Sequence, residues 1–177
     1  MRIITGIYKG RRFDIPRSFK ARPTTDFAKE NIFNVINGYL DLENATALDL
    51  FAGTVSITLE LVSRGFASVI SVEADRDHYN FIRQCVGKLG TKACVPIRGD
   101  VFRFIKSCHQ QFDFIFADPP YALPELPKIP QLVLESGMLK AGGLFVFEHG
   151  KDNDFSEMPC FVEHRNYGSV NFSIFRC

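Results

Sequence analysis

Asp118, Pro119, Pro120 and Tyr121 are the residues best suited to chemistry in this 177-residue chain. They follow directly on Phe112, Phe114, Ile115, Phe116 and Ala117, an apolar run with the length and aromatic content of a buried strand. Two adjacent prolines offer no N–H and hold the residue before each in extended geometry. A strand that stops there presents one carboxylate, bare backbone carbonyls and an aromatic face on a stiff support. Such a set suits a planar group bearing an –NH2: Asp118 and the Pro119 carbonyl accept its hydrogens, and Tyr121 stacks on its plane. The plainer alternative is a proline-capped strand end with a surface tyrosine, which a lone Pro-Pro would favour. The order D-P-P-Y after an apolar strand favours the clamp.

Holding such a clamp requires alternating strands and helices. Residues 47–51, 69–73, 93–97, 112–117 and 144–147 read as strands, and 57–64, 75–89, about 101–108 and 124–136 as the helices between them. Gly65 and Gly90 end two of these helices, and Gly142-Gly143 reads as a turn before the fifth strand. Residues 161–165 and 170–176 form a closing pair of strands with no helix between them. Upstream, Thr25 or Asp26 caps a helix running through Tyr39, and residues 1–15 read as a hairpin around Gly6 and Gly10. Strands separated by helices predict parallel pairing and right-handed crossovers, hence a doubly wound α/β sheet. The expectation is a mostly parallel, seven-stranded sheet with one antiparallel edge strand, in a single domain over residues 1–177.

In such sheets ligands bind beyond the carboxyl ends of the strands, where strand order reverses. The predicted strand ends offer Asp49 with Gly53, then Glu73, Asp100 and Asp118. Glu73 lies 20 residues after Gly53, where a carboxylate can accept both hydroxyls of an adenosine ribose. Asp100 is placed to accept from an adenine amino group, while Asp49 and the backbone near Gly53 face a cationic amino group. A pocket rich in carboxylates favours a ligand with a positive pole over a pyrophosphate, and S-adenosylmethionine is such a ligand. A lone strand-end acid is more often a helix cap; four in register favour the pocket.

Bulk composition, with 46% apolar and 23% charged residues, is that of an ordinary soluble domain. No apolar run reaches the roughly 20 residues of a membrane span, and no signal core opens the chain, so a cytoplasmic location is expected. Five cysteines without a C-x-x-C pair, and four scattered histidines, predict unpaired thiols and no metal site. The net charge of +1 conceals an asymmetry: residues 1–22 carry seven basic side chains against the single acid Asp14. A basic arm on an acidic body suits a polyanion, although a solvated edge strand would carry the same charges.

The motifs LDLFAG (48–53), VEAD (72–75), RGD (98–100) and DPPY (118–121) resemble those of class I S-adenosylmethionine-dependent methyltransferases acting on amino nitrogens. RIITGIYKGRR (2–12), RPTTDFAKENIFN (22–34), SRG (63–65) and YGSVNFSIF (167–175) narrow the resemblance to bacterial guanine-N2 methyltransferases of 16S ribosomal RNA, and it covers nearly the whole chain. The resemblance implies a Rossmann-like methyltransferase fold and transfer to a guanine N2 of small-subunit RNA within an assembly particle. It implies a cofactor site of Thr24, Thr25, Asp49, Phe51, Gly53, Glu73, Asp100, Val101 and Asp118. It implies Asp118, Pro119 and Tyr121 as the catalytic set, and Arg2, Lys9, Arg11, Arg12 and Arg22 as RNA contacts. One departure stands out: the family's turn is usually G-[ST]-G, and this chain has Gly53-Thr54-Val55. A β-branched residue there is expected to crowd the methionine portion of the cofactor, displace the turn, or be tolerated.

Two enzymatic rivals and one of another class accompany this reading. Adenine-N6 methylation of DNA or RNA uses the same clamp, but the length leaves no room for an added DNA-recognition domain. A glutamine-modifying protein methyltransferase resembles N-P-P-Y more than D-P-P-Y. An RNA-binding or assembly protein that has lost the cofactor rests on Val55 alone.

Overall fold

The computed structural model describes residues 1–177. Seven strands, β1 (Thr46–Leu50), β2 (Ser68–Glu73), β3 (Cys94–Arg98), β4 (Phe112–Ala117), β5 (Leu139–His149), β6 (Phe161–Tyr167) and β7 (Val170–Arg176), form one sheet in the order β3-β2-β1-β4-β5-β7-β6. The first five run parallel, and β7 runs antiparallel to both of its neighbours, β5 and the edge strand β6. Helices α1 (Asp26–Asn37), α2 (Ser56–Ser63), α3 (Arg76–Leu89), α4 (Val101–Ser107) and α5 (Ile129–Glu135) cover the two faces. No helix is long and apolar enough to cross a membrane.

The alternation of side chains along β4 divides the core. Phe114 and Phe116 join Ala28, Ile32 and Phe33 of α1 on one face. Ile115 and Ala117 join Val101 and Ile105 of α4 and Ile129 and Val133 of α5 on the other. Full burial of each such phenylalanine or isoleucine contributes about 1.5–3 kcal/mol, so β4 is held from both sides. Its far end, where Asp118 emerges, inherits that rigidity.

Local chemistry sets the element ends. Thr25 caps α1 by accepting from Ala28 N at 3.2 Å, and Asp75 caps α3 by accepting from His78 N at 2.9 Å. Gly142-Gly143 is not a turn ahead of the fifth strand, as the sequence reading had it; it lies within β5, which begins at Leu139, beside a register shift in the β4 pairing. A side chain at Gly143 would stand 3.0 Å from Asp113 O, so the glycine lets the two strands stay close through the irregularity. The helix expected over 124–136 is shorter, beginning with a 3-10 turn at Leu126–Lys128 because Pro127 and Pro130 cannot donate within a longer helix.

The cysteine expectation needs one correction. Cys160 and Cys177 form a disulfide, because β7 returns along the sheet edge and Arg176 N donates to Cys160 O at 2.8 Å. Counting cysteines could not reveal that proximity. Cys85, Cys94 and Cys108 are free, and burial pushes the thiols of the first two up to about 11.

Residues 1–15 double back on themselves, with Ile3 N donating to Arg11 O at 3.0 Å and Phe13 N to Met1 O at 3.0 Å. This hairpin lies on α2, all eight residues of which are buried. Gly6, at φ +96°, passes so close to Ser63 that a Cβ would stand 1.9 Å from its carbonyl oxygen. Ser63 Oγ donates to Thr5 O at 2.6 Å and accepts from Tyr8 N at 3.0 Å. Deeper in, the fully buried Glu60 accepts from Ile4 N at 2.9 Å, Thr5 N at 3.0 Å and Arg64 Nε at 2.9 Å, with Lys29 Nζ at 3.4 Å. One carboxylate therefore ties together the hairpin, α1 and α2.

Candidate active site

Strand order reverses between β1 and β4, so their carboxyl ends splay apart and leave a crevice. The chain leaves β1 through an unusual turn in which Phe51, Gly53 and Val55 all lie at positive φ, at 60°, 51° and 66°. Left-handed geometry costs a non-glycine residue roughly 1–2 kcal/mol, so this turn is held by its surroundings. Gly53 N donates to Glu73 Oε1 at 2.8 Å, and Val55 N to Ala52 O at 2.8 Å. Val55 is fully buried among Leu59, Phe81, Ile82 and the hairpin residues Ile3 and Phe13. It takes up the backbone shape a glycine would have, and its isopropyl group points away from the crevice. Of the three outcomes envisaged from the sequence, this placement favours a tolerated residue, since Val55 is not among those lining the adjoining hollow.

A hollow of about 60 Å³ opens beside this turn, lined among others by Arg22, Thr24, Asp49, Phe51, Gly53 and Asp118. A larger groove, about 740 Å³, lies among the residues leading into β1 and out of α2, and none of the strand-end acids reaches it. The hollow therefore unites Thr24, Asp49, Phe51, Gly53 and Asp118 from the sequence-derived cofactor set. Glu73 adjoins it through Gly53 N and also accepts from Asp75 N at 2.9 Å. Thr25 spends its hydroxyl on the α1 cap, Asp100 caps α4 by accepting from Arg103 N at 3.0 Å, and Val101 turns its side chain into the core.

Three carboxylates gather at the neighbouring tips of β1, β4 and β5: Asp49, Asp118 and Glu148. Asp49 is buried and accepts from Thr58 Oγ1 at 2.6 Å; burial, then the charges of Glu73 and Glu148, raises it to about 7. Asp118 is raised well above the ordinary carboxylate range, first by burial and then by Glu148 and Asp49. Neither has a cation bonded to it. Glu148 is 6% exposed, and its two oxygens accept from Thr24 Oγ1 at 3.3 Å and Tyr121 OH at 3.2 Å. Tyr121, 47% exposed, rests on Gly150, and its phenol is raised by burial and then by Glu148 and Asp118. Pro119, between Asp118 and the ring, is buried. This arrangement accepts hydrogen bonds and favours positive charge in a partly dry site.

Sequence reasoning had assigned no role to Glu148. It sits inside an apolar strand, and only the pairing of Ala117 with Phe147 brings it beside Asp118. The available signal was an acid at a fifth strand end.

The five basic residues proposed for RNA contact are divided by the fold. Arg2 is paired with Asp26 at 2.6 Å, Arg11 donates to Lys88 O at 3.0 Å, and Arg22 donates to Phe19 O at 3.0 Å while lining the hollow. Lys9 and Arg12 are exposed and make no side-chain hydrogen bond or ion pair within the chain.

Comparisons with known proteins agree with this architecture. The YlbH protein of Bacillus subtilis, provisionally named an rRNA methyltransferase, is 33% identical over 99% of this chain and 98% of its own length. Ribosomal RNA small subunit methyltransferase D of Haemophilus influenzae is 29% identical over 99% of this chain and 93% of its own. A solved structure of a hypothetical protein from Thermus thermophilus superposes with a TM-score of 0.87 and 28% identity, covering 100% of this chain and 99% of that one. Residues 1–176 match the family described as Conserved hypothetical protein 95, and the chain belongs to that family.

Proposed function

We propose that this protein transfers a methyl group from S-adenosylmethionine to the exocyclic N2 of a guanine in 16S ribosomal RNA. The observation that carries the reading is the cluster of Asp49, Asp118 and Glu148 around a hollow that also reaches Gly53 and Thr24. Asp49 and Glu148 are buried and Asp118 half-buried, none with a cation bonded to it, and a ligand with positive charge relieves the cost of holding them there. Relatives named for rRNA methylation support the same conclusion.

The residues present fit S-adenosylmethionine by the chemistry of their donor set. When bound, it supplies an activated methyl group on a sulfonium. Asp49 and the left-handed turn at Phe51–Val55 would hold its cationic portion, and Glu73 would hold its ribose. Asp118 and the Pro119 carbonyl accept the two hydrogens of the target amino group, which favours a pyramidal nitrogen with its lone pair aimed at the donor. Tyr121 supplies the stacking face. Alignment in a dry site is the protein's main contribution. Asp118 need not remove a proton beforehand, since the methylated product sheds one readily.

A paired base cannot reach this hollow, so the target nucleotide is looped out or flipped. Lys9 and Arg12, on the 1–22 segment, hold phosphates without reading sequence. A single domain of this size recognises a prefolded surface, which favours a small-subunit assembly particle in the cytoplasm. Val55, the feature that favoured a cofactor-free role, keeps its side chain away from the hollow.

Incubation with tritiated S-adenosylmethionine and small-subunit RNA, free and partly assembled, tests the reading. Label on guanine of that RNA is the expected result. Label found only in DNA or only in protein would remove it.

A further inference from the structure

Glu148 presents a problem of hydrogen-bond supply. Its carboxylate offers about four acceptor positions, and Thr24 Oγ1 and Tyr121 OH use two. It is 6% exposed, lies beside a second carboxylate at Asp118, and has no salt-bridge partner. Within the chain only the Asp118 carboxyl, when protonated, adds a donor to it, and an amino group bound by Asp118 would take that donor away.

The edge of the substrate base can supply one. Asp118 and Pro119 O take the two hydrogens of an exocyclic amino group, and any purine with such a group satisfies them. The ring nitrogen beside that amino group differs between bases: N1 of guanine carries a hydrogen, whereas N1 of adenine or 2-aminopurine carries a lone pair. Guanine thus offers three donors along this edge, matching the three acceptors Asp118, Pro119 O and Glu148.

Building on the methyltransferase reading above, we propose that Glu148 accepts the N1–H of the target guanine and is the residue by which the site chooses guanine. A base with a lone pair at N1 would set that lone pair against a buried carboxylate. Glu148 is held for this task from both sides, by Thr24 of the segment before α1 and by the ring that stacks on the base. It works as a specificity residue, and the methyl transfer itself takes place at Asp118.

2-Aminopurine separates the two roles, because it keeps the amino group at C2 and lacks the N1 hydrogen. A small-subunit RNA fragment is prepared with guanine, 2-aminopurine or 2,6-diaminopurine at the methylated position, and kcat/KM for transfer is measured with each. The native protein should prefer guanine by on the order of 100-fold, the cost of leaving a buried charged acceptor unpaired. In Glu148→Gln the amide can turn either its oxygen or its –NH2 toward N1, so the ratio should collapse toward one. Equal rates on guanine and 2-aminopurine with the native protein would overturn the proposal without any variant. So would an unchanged ratio in Glu148→Gln, with guanine transfer intact in the native protein. Failure of the native protein to methylate guanine in any of these RNAs would instead overturn the proposed function.

Discussion

Replacing Glu60 with glutamine should be among the most damaging isosteric changes in this protein. One carboxylate oxygen becomes an –NH2 that must face either Ile4 N and Lys29 Nζ or Thr5 N and Arg64 Nε, all of them donors. The side chains of Glu60, Lys29 and Arg64 are 0%, 1% and 7% exposed, so water cannot repair the loss. Breaking one side of a buried ion pair typically costs about 3–5 kcal/mol, and Glu60→Gln should fall in that range. Lys29→Met should cost less, about 1–2 kcal/mol: burial already holds the Lys29 ammonium below its ordinary pKa, its loss leaves Arg2 O and Ser56 Oγ without a donor, and Glu60 keeps Ile4 N, Thr5 N and Arg64 Nε. Urea denaturation with unchanged m-values measures both, and amide exchange at Ile4 and Thr5 reports whether the hairpin lifts first. A Glu60→Gln cost below about 1 kcal/mol, or a larger cost for Lys29→Met, would refute the idea that this carboxylate holds the three elements together.

Asp118→Ala should reduce methyl transfer by at least about 100-fold, through loss of alignment, with cofactor affinity little changed. Calorimetry beside single-turnover transfer would show this, and a parallel fall in both would mean Asp118 belongs to cofactor binding. Asp49 sets a pH dependence. Its folded pKa, about 7, lies above the ordinary 3.8, so its contribution to stability is full below 3.8 and is lost as pH rises through about 7. A cationic ligand favours the ionised form, so S-adenosylmethionine affinity should tighten as pH rises through that value, with proton release; affinity independent of pH would contradict it. Replacing Lys9 and Arg12 together with glutamine should weaken RNA binding and flatten its salt slope by about 1–2, whereas Arg2→Gln should leave the slope nearly intact because Arg2 is paired with Asp26. Equal effects from the two changes would contradict the division of the basic residues.

The strands and their alternation with helices were legible because each rests on local pattern. Phe114 and Phe116 alternate with Ile115 and Ala117, and no tertiary knowledge is needed to see a strand buried on both faces. Features that depend on registry were hidden. Glu148 acquires meaning only when β4 and β5 lie side by side, and Cys160 meets Cys177 only after β7 has turned back. The pairing of Arg2 with Asp26, 24 residues away, was hidden for the same reason. Val55 left three outcomes open for another reason: φ/ψ preference argues against a β-branched residue there, and only the fold shows its complete burial in the cluster with Leu59 and Phe81. Glu60 did leave a clue. In SITLELVS every other residue is apolar or small, so no polar face remained to carry the acid into solvent.

The tether at Glu60 and Ser63 also works like the frame of a calliper. Because residues 4–8 are riveted to the same helix whose first turn borders the hollow, Lys9 and Arg12 keep a constant span from Asp118. If Lys9 and Arg12 take phosphates as proposed, a substrate gains little by drawing these jaws together. It must arrive already gauged, with a phosphate and an everted nucleotide at the matching separation, so pre-shaped ribonucleoprotein should outcompete slack oligonucleotides that forfeit entropy to reach that span.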